Sequence, residues 1–317
     1  MWAQDSFEMN AIIPSFLKKG DLVSIVATAR WIDPHDLLFA TSLLEKWGFR
    51  VKLGKHLHTV SFQLAGTLEQ RTSDMQVALD DPESKAILIA RGGYGTVHLI
   101  DQLNFSRFYS SPKWICGYSD ITVLHAHLNS KGYATIHSTM PVSFANATDA
   151  ALENLRLALL GDLKEVSFKS SIPLLHLYGS LPLVGGNLSV LYSLLGSESL
   201  ANKGDLALFL EDVDEMHYHI DRMMMGLKRA SFFKNVKYVI LGGLTQMRDN
   251  TVEFGFPKDN PWGLNANEII VNYCKELGIA VVDGFPAGHL NDNRAFYLGM
   301  NSQLRKGNDE LILTFQH

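Results

Sequence analysis

One stretch of the sequence decides the fold: Pro112-Lys113-Trp114-Ile115-Cys116-Gly117-Tyr118-Ser119-Asp120-Ile121-Thr122-Val123-Leu124-His125. Its apolar run stops at Gly117, and from Ile121 the apolar residues recur at helical spacing. This pattern predicts a strand, a tight turn and a helix. Ser119 would then lie where a strand ends and a helix begins, where free N–H groups and the helix dipole favour developing negative charge. A nucleophilic serine occupies this kind of position.

The alternative is that Ser119 or Asp120 only caps the helix, since both residue types are favoured at that position. The stretch is close to the nucleophile elbow G-x-S-x-G, but Ile121 stands where the second glycine would be, so the motif is half met. A catalytic role therefore needs a base and an oxyanion site from elsewhere in the chain.

Size and composition limit the classes of protein that fit. A chain of 317 residues with 46% hydrophobic content buries a large core and is expected to divide into two domains. The net charge of −5, without a long run of Lys or Arg, argues against a nucleic-acid partner. Cys116 and Cys274 lie far apart, which predicts no zinc site and no disulfide framework and fits the cytoplasm. Residues 1–20 read as neither a signal peptide nor a membrane span.

The first half of the chain alternates apolar runs with amphipathic stretches. Strands are predicted at 22–27, 50–53, 86–90 and 133–136, and a helix at 36–47. Thr67 and Gln70 form a capping box that predicts the start of another helix. This alternation indicates an open, mostly parallel α/β sheet, in which function gathers at the carboxyl ends of the strands.

A glycine-rich loop follows one of these strands, Arg91-Gly92-Gly93-Tyr94-Gly95-Thr96. Glycines permit positive φ and let backbone N–H groups approach a ligand closely. The loop matches neither of the common phosphate-binding motifs, and a plain tight connection is the alternative. Because neighbouring strands end at the same edge, we expect these amides beside Ser119, as part of an oxyanion hole.

The composition changes in the middle of the chain. Prolines and serines without a clear period predict a linker at 166–182, which separates a domain at 1–165 from one at 183–317. In the second domain, an apolar strand at 205–210 ends in four carboxylates within 211–215. Most acidic clusters form solvated turns, but Glu211 lies at the end of the strand, where a partly buried carboxylate could orient a histidine.

His289 is the histidine that best fits such a carboxylate. It lies in a loop between Gly288 and Leu290, after a predicted strand at 280–282, which is unusual for a core histidine. The chain has 12 histidines, so this position by itself favours a catalytic role only weakly.

A metal site is the other use that histidines could have. Three pairs are spaced one residue apart, a spacing that puts both side chains on one face only in an extended backbone. The pairs are His56 and His58, His125 and His127, and His217 and His219. With no H-E-x-x-H motif and one pair in a predicted helix, no metal site is predicted.

Taken together, these segments resemble the LD-carboxypeptidases, a family of serine peptidases that includes muramoyl-tetrapeptide carboxypeptidases and microcin C self-immunity peptidases. The resemblance rests on five segments that occur in the family's order and span nearly the whole chain. They are Arg91-Gly92-Gly93-Tyr94-Gly95, Gly117-Tyr118-Ser119-Asp120-Ile121-Thr122, Gly185-Gly186-Asn187-Leu188, Leu210-Glu211-Asp212 with Ile220-Asp221-Arg222-Met223, and Gly288-His289.

The resemblance implies an α/β fold with two domains: an N-terminal Rossmann-like (flavodoxin-like) parallel sheet and a smaller, C-terminal α/β swivelling domain. It implies a catalytic triad with Ser119 as nucleophile, His289 as general base and Glu211 as the residue that orients the histidine. It also implies an oxyanion hole formed by the amide of Asp120 and that of either Gly92 or Gly93.

The resemblance further implies the reaction, which is hydrolysis of the bond between meso-diaminopimelate and a terminal D-alanine in recycled murein tetrapeptide. No cofactor is implied, and relatives are commonly homodimers. A carboxypeptidase must recognise a free carboxylate, and Arg91 is a candidate for that contact. Two alternatives stay open: a microcin C-type peptidase acting on aminoacyl-adenylate analogues, and a non-catalytic α/β protein that binds a small molecule.

Overall fold

A computed structural model describes residues 11–174, 176–200 and 204–316. Residues 1–10, which belong to the stretch predicted to be neither signal peptide nor membrane span, lie outside the described chain. The strands are β1 Leu22–Val26, β2 Arg50–Leu53, β3 Ser84–Ile89, β4 Trp114–Gly117, β5 Thr135–His137, β6 Glu165–Phe168, β7 Leu181–Asn187, β8 Leu206–Val213, β9 Val236–Thr245, β10 Ala280–Val282, β11 Phe296–Leu298, β12 Asn301–Lys306 and β13 Leu311–Phe315. The α-helices are α1 Pro34–Lys46, α2 Leu68–Asp80, α3 Ser106–Ser110, α4 Thr122–Ser130, α5 Asp149–Leu160, α6 Leu188–Ser193, α7 His217–Arg229 and α8 Ala266–Glu276.

The first sheet has six strands in the order β11-β5-β4-β3-β1-β2. Strands β1 to β5 are parallel in the order 2-1-3-4-5, which is the flavodoxin-like order of doubly wound sheets. The fold prediction is therefore confirmed. The sixth strand, β11, comes from the C-terminal part of the chain and pairs antiparallel with β5.

Local sequence signals account for several of these elements. The apolar run in β3 is buried on both faces, as expected for a central parallel strand. Helix α2 begins with the predicted capping box, in which Thr67 and Gln70 bond each other's backbone N–H groups. The predicted strand–turn–helix around Ser119 is present as β4, one 3₁₀ turn and α4.

The second sheet has seven strands in the order β10-β9-β8-β7-β12-β13-β6. Strands β7 to β10 are parallel to one another, and β12, β13 and β6 continue the sheet in antiparallel fashion. Most of β6 lies inside the segment predicted to be a linker, 166–182. That segment is thus partly a paired strand, while the division of the chain into domains at 1–165 and 183–317 stays a prediction.

The two sheets meet at the carboxyl ends of their parallel strands. At this junction the Asn187 N–H, at the end of β7, donates to Thr122 Oγ1, at the start of α4, over 3.0 Å. The turn after β4 and the end of β8 are consequently brought close together. No helix in the described part of the chain is long and apolar enough to cross a lipid bilayer.

Candidate active site

Ser119 occupies a strained position in the turn between β4 and α4. Its φ is +62°, in the left-handed region, which costs a residue other than glycine roughly 1–3 kcal/mol. The side chain is half-buried. Strain of this kind persists only where the surrounding structure imposes it, and it is found mainly at functional sites.

Three side chains from distant parts of the chain form a hydrogen-bonded series at this turn. Ser119 Oγ lies 3.1 Å from His289 Nε2, and His289 Nδ1 lies 2.7 Å from Glu211 Oε2. Glu211 lies near the end of β8, and His289 lies in the loop between β10 and β11. Such a series can pass the hydroxyl proton to the imidazole while the carboxylate holds the ring in the required tautomer.

The electrostatic environment suits that proton transfer. Glu211 is fully buried, and among the described residues its Oε1 has no hydrogen-bond partner, so the hydrogen bond of its carboxylate is the one between Oε2 and His289. Burial lowers the pKa of His289, but the hydrogen bond and charge of Glu211, with the charge of Asp212, outweigh it and raise the pKa overall. The imidazolium that forms when His289 accepts a proton is therefore stabilised.

Gly288 allows the histidine loop to approach Glu211. Its φ is +108°, and a Cβ at this position would stand 2.8 Å from both Cβ and Oε2 of Glu211. Its N–H donates to Asn293 Oδ1 at 2.8 Å, which fixes the loop on the other side. Only a residue without a side chain fits here without moving the carboxylate.

Replacing Gly288 with alanine is expected to lower kcat/KM by about 100-fold, because a displacement of about 1 Å at a reacting group has an effect of this size. Gly278→Ala is the matched control, since Gly278 also has positive φ, +68°, but nothing lies within 4 Å of its Cβ position. Steady-state kinetics on both variants test this. Equal kcat/KM in the two variants would show that the approach to Glu211 is unimportant.

Asp212 belongs to the acidic cluster for which a solvated turn was the common expectation, but it is buried within β8. Its carboxylate accepts hydrogen bonds from the Asn187 side chain at 3.0 Å and from the Ser189 N–H at 2.8 Å. Burial, followed by the charge of Glu211, raises the pKa of Asp212 to about 7. The sequence feature closest to predicting this buried carboxylate is Asn187 in the Gly-Gly-Asn-Leu segment, but the sequence does not show which residue Asn187 bonds.

The glycine loop lies beside the serine, as expected from the order of the strands. A Cβ at Gly92 would stand 3.3 Å from Ser119 Cβ and 3.4 Å from its Oγ, whereas a Cβ at Gly93 would meet the side chain of Arg30. Gly92 is thus the glycine that faces the hydroxyl. In the described chain no hydrogen bond uses the N–H of Gly92, Gly93 or Asp120, so these amides can receive an oxyanion.

The Asp120 side chain ties the serine turn to the glycine loop. Its Oδ2 accepts from the Thr96 N–H at 2.9 Å and from Thr96 Oγ1 at 2.7 Å. Thr96 Oγ1 also lies 2.7 Å from Thr28 Oγ1, in the loop that follows β1. The two backbone segments that carry the candidate oxyanion donors are therefore held at a fixed separation.

Arg91, the candidate contact for a substrate carboxylate, is half-buried at the start of the glycine loop. Its Nη1 donates to the Trp31 carbonyl at 3.2 Å. Part of its hydrogen-bonding capacity is consequently used inside the protein.

A cleft of about 250 Å³ opens beyond His289. Its lining is polar and, within the described residues, includes no Lys or Arg. The lining residues are Tyr118, Thr139, Ser143, Asn146, Ala147, Val213, Gln246, His289, Leu290 and Asn291. The cleft is large enough for part of a short peptide bound beside His289.

At least one histidine of each pair has a hydrogen-bond partner within the protein. A ring nitrogen of His56 lies 2.8 Å from Asp74, one of His125 lies 2.9 Å from Thr135, and one of His219 lies 2.8 Å from Glu215. Among the described residues, no three His, Cys, Asp or Glu side chains are grouped so that they could hold a metal ion.

Comparison with protein families gives two matches, in the order of the chain. Residues 23–138 match the N-terminal domain of the LD-carboxypeptidases, and residues 181–304 match their C-terminal domain. The first range contains the serine turn and the glycine loop, and the second contains Glu211 and His289.

Individual relatives cover most of the chain. A probable murein peptide carboxypeptidase of Bacillus subtilis is 31% identical over 311 residues, which are 95% of this chain and 93% of that protein. A murein tetrapeptide carboxypeptidase of Pseudomonas aeruginosa is 28% identical over 293 residues, 89% of this chain and 92% of that protein. The structure of the microcin C7 self-immunity protein MccF with aspartyl sulfamoyl adenosine has a TM-score of 0.80 at 21% identity, covering 96% of this chain and 99% of that one.

Proposed function

The chain belongs to the LD-carboxypeptidase family of hydrolases, and from that premise we propose that it is a serine carboxypeptidase acting on murein tetrapeptide in peptidoglycan recycling. The bond it hydrolyses is the L,D-peptide bond between meso-diaminopimelate and the terminal D-alanine. The observation that carries the proposal is the hydrogen-bonded series from Ser119 through His289 to Glu211.

The proposed reaction runs in two halves. His289 accepts the proton of Ser119 as the hydroxyl attacks the scissile carbonyl, and the Glu211 carboxylate stabilises the imidazolium. His289 then protonates the leaving amine, D-alanine departs, and an acyl-enzyme remains on Ser119. Water activated by the same histidine releases the tripeptide.

The oxyanion of each tetrahedral intermediate would be bound by the amides of Asp120 and of Gly92 or Gly93. The position of Gly92 against Ser119 Oγ favours Gly92 of the two glycines. Losing one such donor raises a barrier by about 3 kcal/mol, so the link between Asp120 and Thr96 that fixes the loop matters for the rate.

Recognition of a free carboxylate by Arg91 stays a prediction of this proposal. Its bond to the Trp31 carbonyl occupies one nitrogen of the guanidinium, and the remaining side-chain N–H groups have no other hydrogen bond among the described residues. An unchanged KM for tetrapeptide in Arg91→Ala would reject this contact.

Mass spectrometry of two separate incubations tests the proposed function. The expected result is that murein tetrapeptide loses D-alanine and yields the tripeptide, while an aminoacyl sulfamoyl adenosine stays intact. The segment 188–210, which contains no Trp to stack on a nucleobase, supports the peptide over the adenylate analogue.

Two other outcomes would reject the proposal in favour of the alternatives. Turnover of the adenylate analogue alone would assign a microcin C-type peptidase. Turnover of neither, with no fluorophosphonate adduct on Ser119 of the folded protein, would assign a binding protein without catalysis. A cytoplasmic location, expected from the cysteine content, and a homodimer, implied by the family resemblance alone, stay predictions. Light scattering on the purified protein measures the second.

A further inference from the structure

The side chain of Arg30 lies against the glycine loop of the candidate active site. A Cβ at Gly93 would stand 2.7 Å from Arg30 Cδ and 2.9 Å from its Nε. The Arg30 N–H donates to the Gly92 carbonyl at 3.4 Å, and Arg30 forms an antiparallel bridge with Leu64. Backbone contacts on two sides thus fix the point from which this side chain crosses the loop.

Arg30 is an exposed residue, and its side chain has no hydrogen bond or ion pair among the described residues. Other arginines of this chain do have carboxylate partners. They are Arg50 with Glu83, Arg156 with Glu153, Arg248 with Asp214, and Arg294 with Asp292. Arg30 is therefore a cation with its full hydrogen-bonding capacity available to a ligand.

The glycine that Arg30 contacts is next in the chain to the one that faces the reacting hydroxyl. Gly92, whose Cβ position is 3.4 Å from Ser119 Oγ, is the chain neighbour of Gly93, and consecutive Cα atoms are about 3.8 Å apart. A group bound by the guanidinium would consequently lie beside the glycine loop, one residue further along the chain than the glycine that faces the reacting hydroxyl. The cleft beyond His289 offers no competing Lys or Arg among its described lining residues.

We propose that the Arg30 guanidinium binds a carboxylate of the peptide substrate, an inference that rests on the proposed function. Guanidinium binds carboxylate through two parallel hydrogen bonds, which fixes position as well as charge. Two carboxylates of the proposed substrate are near the scissile bond. One belongs to the D-alanine that leaves, and the other to the D-centre of the diaminopimelate side chain in the acyl part.

Kinetics with three peptides distinguish these two sources: murein tetrapeptide, its C-terminal amide, and the peptide amidated on the diaminopimelate side chain. Arg30→Gln is expected to lower kcat/KM for the unmodified peptide by about 10- to 100-fold, mainly through KM, because a charge-assisted bidentate contact is lost. For the peptide that lacks the bound carboxylate, the variant and the wild type should have nearly equal kcat/KM. Arg30→Lys should recover part of the loss, and Arg107→Gln, at an exposed arginine elsewhere, should change nothing.

The pattern across peptides decides the result. The inference is supported if the wild type hydrolyses one amidated peptide more slowly than the unmodified peptide and Arg30→Gln alone loses this distinction. The carboxylate that is amidated in that peptide is then the one that Arg30 binds. The inference is overturned if Arg30→Gln lowers kcat/KM equally for all three peptides or does not lower it at all. It is also overturned if Arg91→Gln, and not Arg30→Gln, loses the distinction between the peptides. In each of these cases the proposed function stands. If the wild-type protein hydrolyses none of the peptides, the proposed function is rejected and this inference with it.

Discussion

Replacing Ser119 with alanine is expected to reduce kcat/KM for murein tetrapeptide by roughly ten-thousand-fold or more, with the fold intact. The hydroxyl is the atom that His289 Nε2 contacts at 3.1 Å, and without it no acyl-enzyme can form. What activity is left would come from binding and from the oxyanion donors alone. Steady-state kinetics and mass spectrometry of the intact protein after fluorophosphonate treatment measure both the rate and the adduct.

Two further variants serve as controls for this test. Ser111→Ala removes an exposed serine hydroxyl nearby in sequence and should leave kcat/KM unchanged. Ser119→Gly should be as inactive as Ser119→Ala but about 1 kcal/mol more stable, because glycine adopts φ of +62° without strain. Substantial turnover by Ser119→Ala would contradict the proposal that Ser119 is the nucleophile.

Replacing Glu211 with glutamine is expected to lower kcat by roughly 100- to 10,000-fold and to move the acid limb of the pH profile to lower pH. His289 must be neutral to accept the serine proton, so activity falls as the pH drops through the pKa of His289. In the wild-type protein that pKa is raised, because burial, which lowers it, is outweighed by the hydrogen bond and charge of Glu211 together with the charge of Asp212. Without the carboxylate, burial prevails and lowers the pKa of the histidine.

Full pH profiles of kcat/KM for the wild type and the variant provide the measurement. Glu83→Gln, a substitution of the same kind at an exposed carboxylate, should reproduce the wild-type profile. The variant should not be less stable than the wild type, because His289 left neutral creates no unpaired buried charge. An acid limb at unchanged or higher pH in Glu211→Gln would show that the carboxylate does not set the pKa of His289.

The parts of the fold that follow from short-range pattern were predictable. The buried run of β3, the capping box of α2 and the strand–turn–helix around Ser119 each depend on residues close together in sequence. The parallel order of the first sheet follows from alternating strands and helices. The candidate site residues were found because the resemblance links motifs that are distant in sequence.

Features that depend on pairing between distant segments were not predictable. Strand β6 lies in the expected linker because its partner, β13, is about 145 residues further along the chain. Asp212 resembles its acidic neighbours in sequence, and only the contacts to Asn187 and Ser189 distinguish it as a buried group. The guanidinium of Arg30 has no partner among the described residues because of how its loop packs against the glycine loop, and residue spacing does not predict such packing.

The pairing of β11 with β5 has a consequence for attempts to divide the protein. A fragment that ends near residue 165 would leave β5 as a bare edge strand with unsatisfied amides and carbonyls, a surface prone to aggregation. The complementary fragment would carry β11 with no sheet to join. Neither half should be obtainable alone in native form, and coexpressed halves should reassemble only when residues 296–298 are retained.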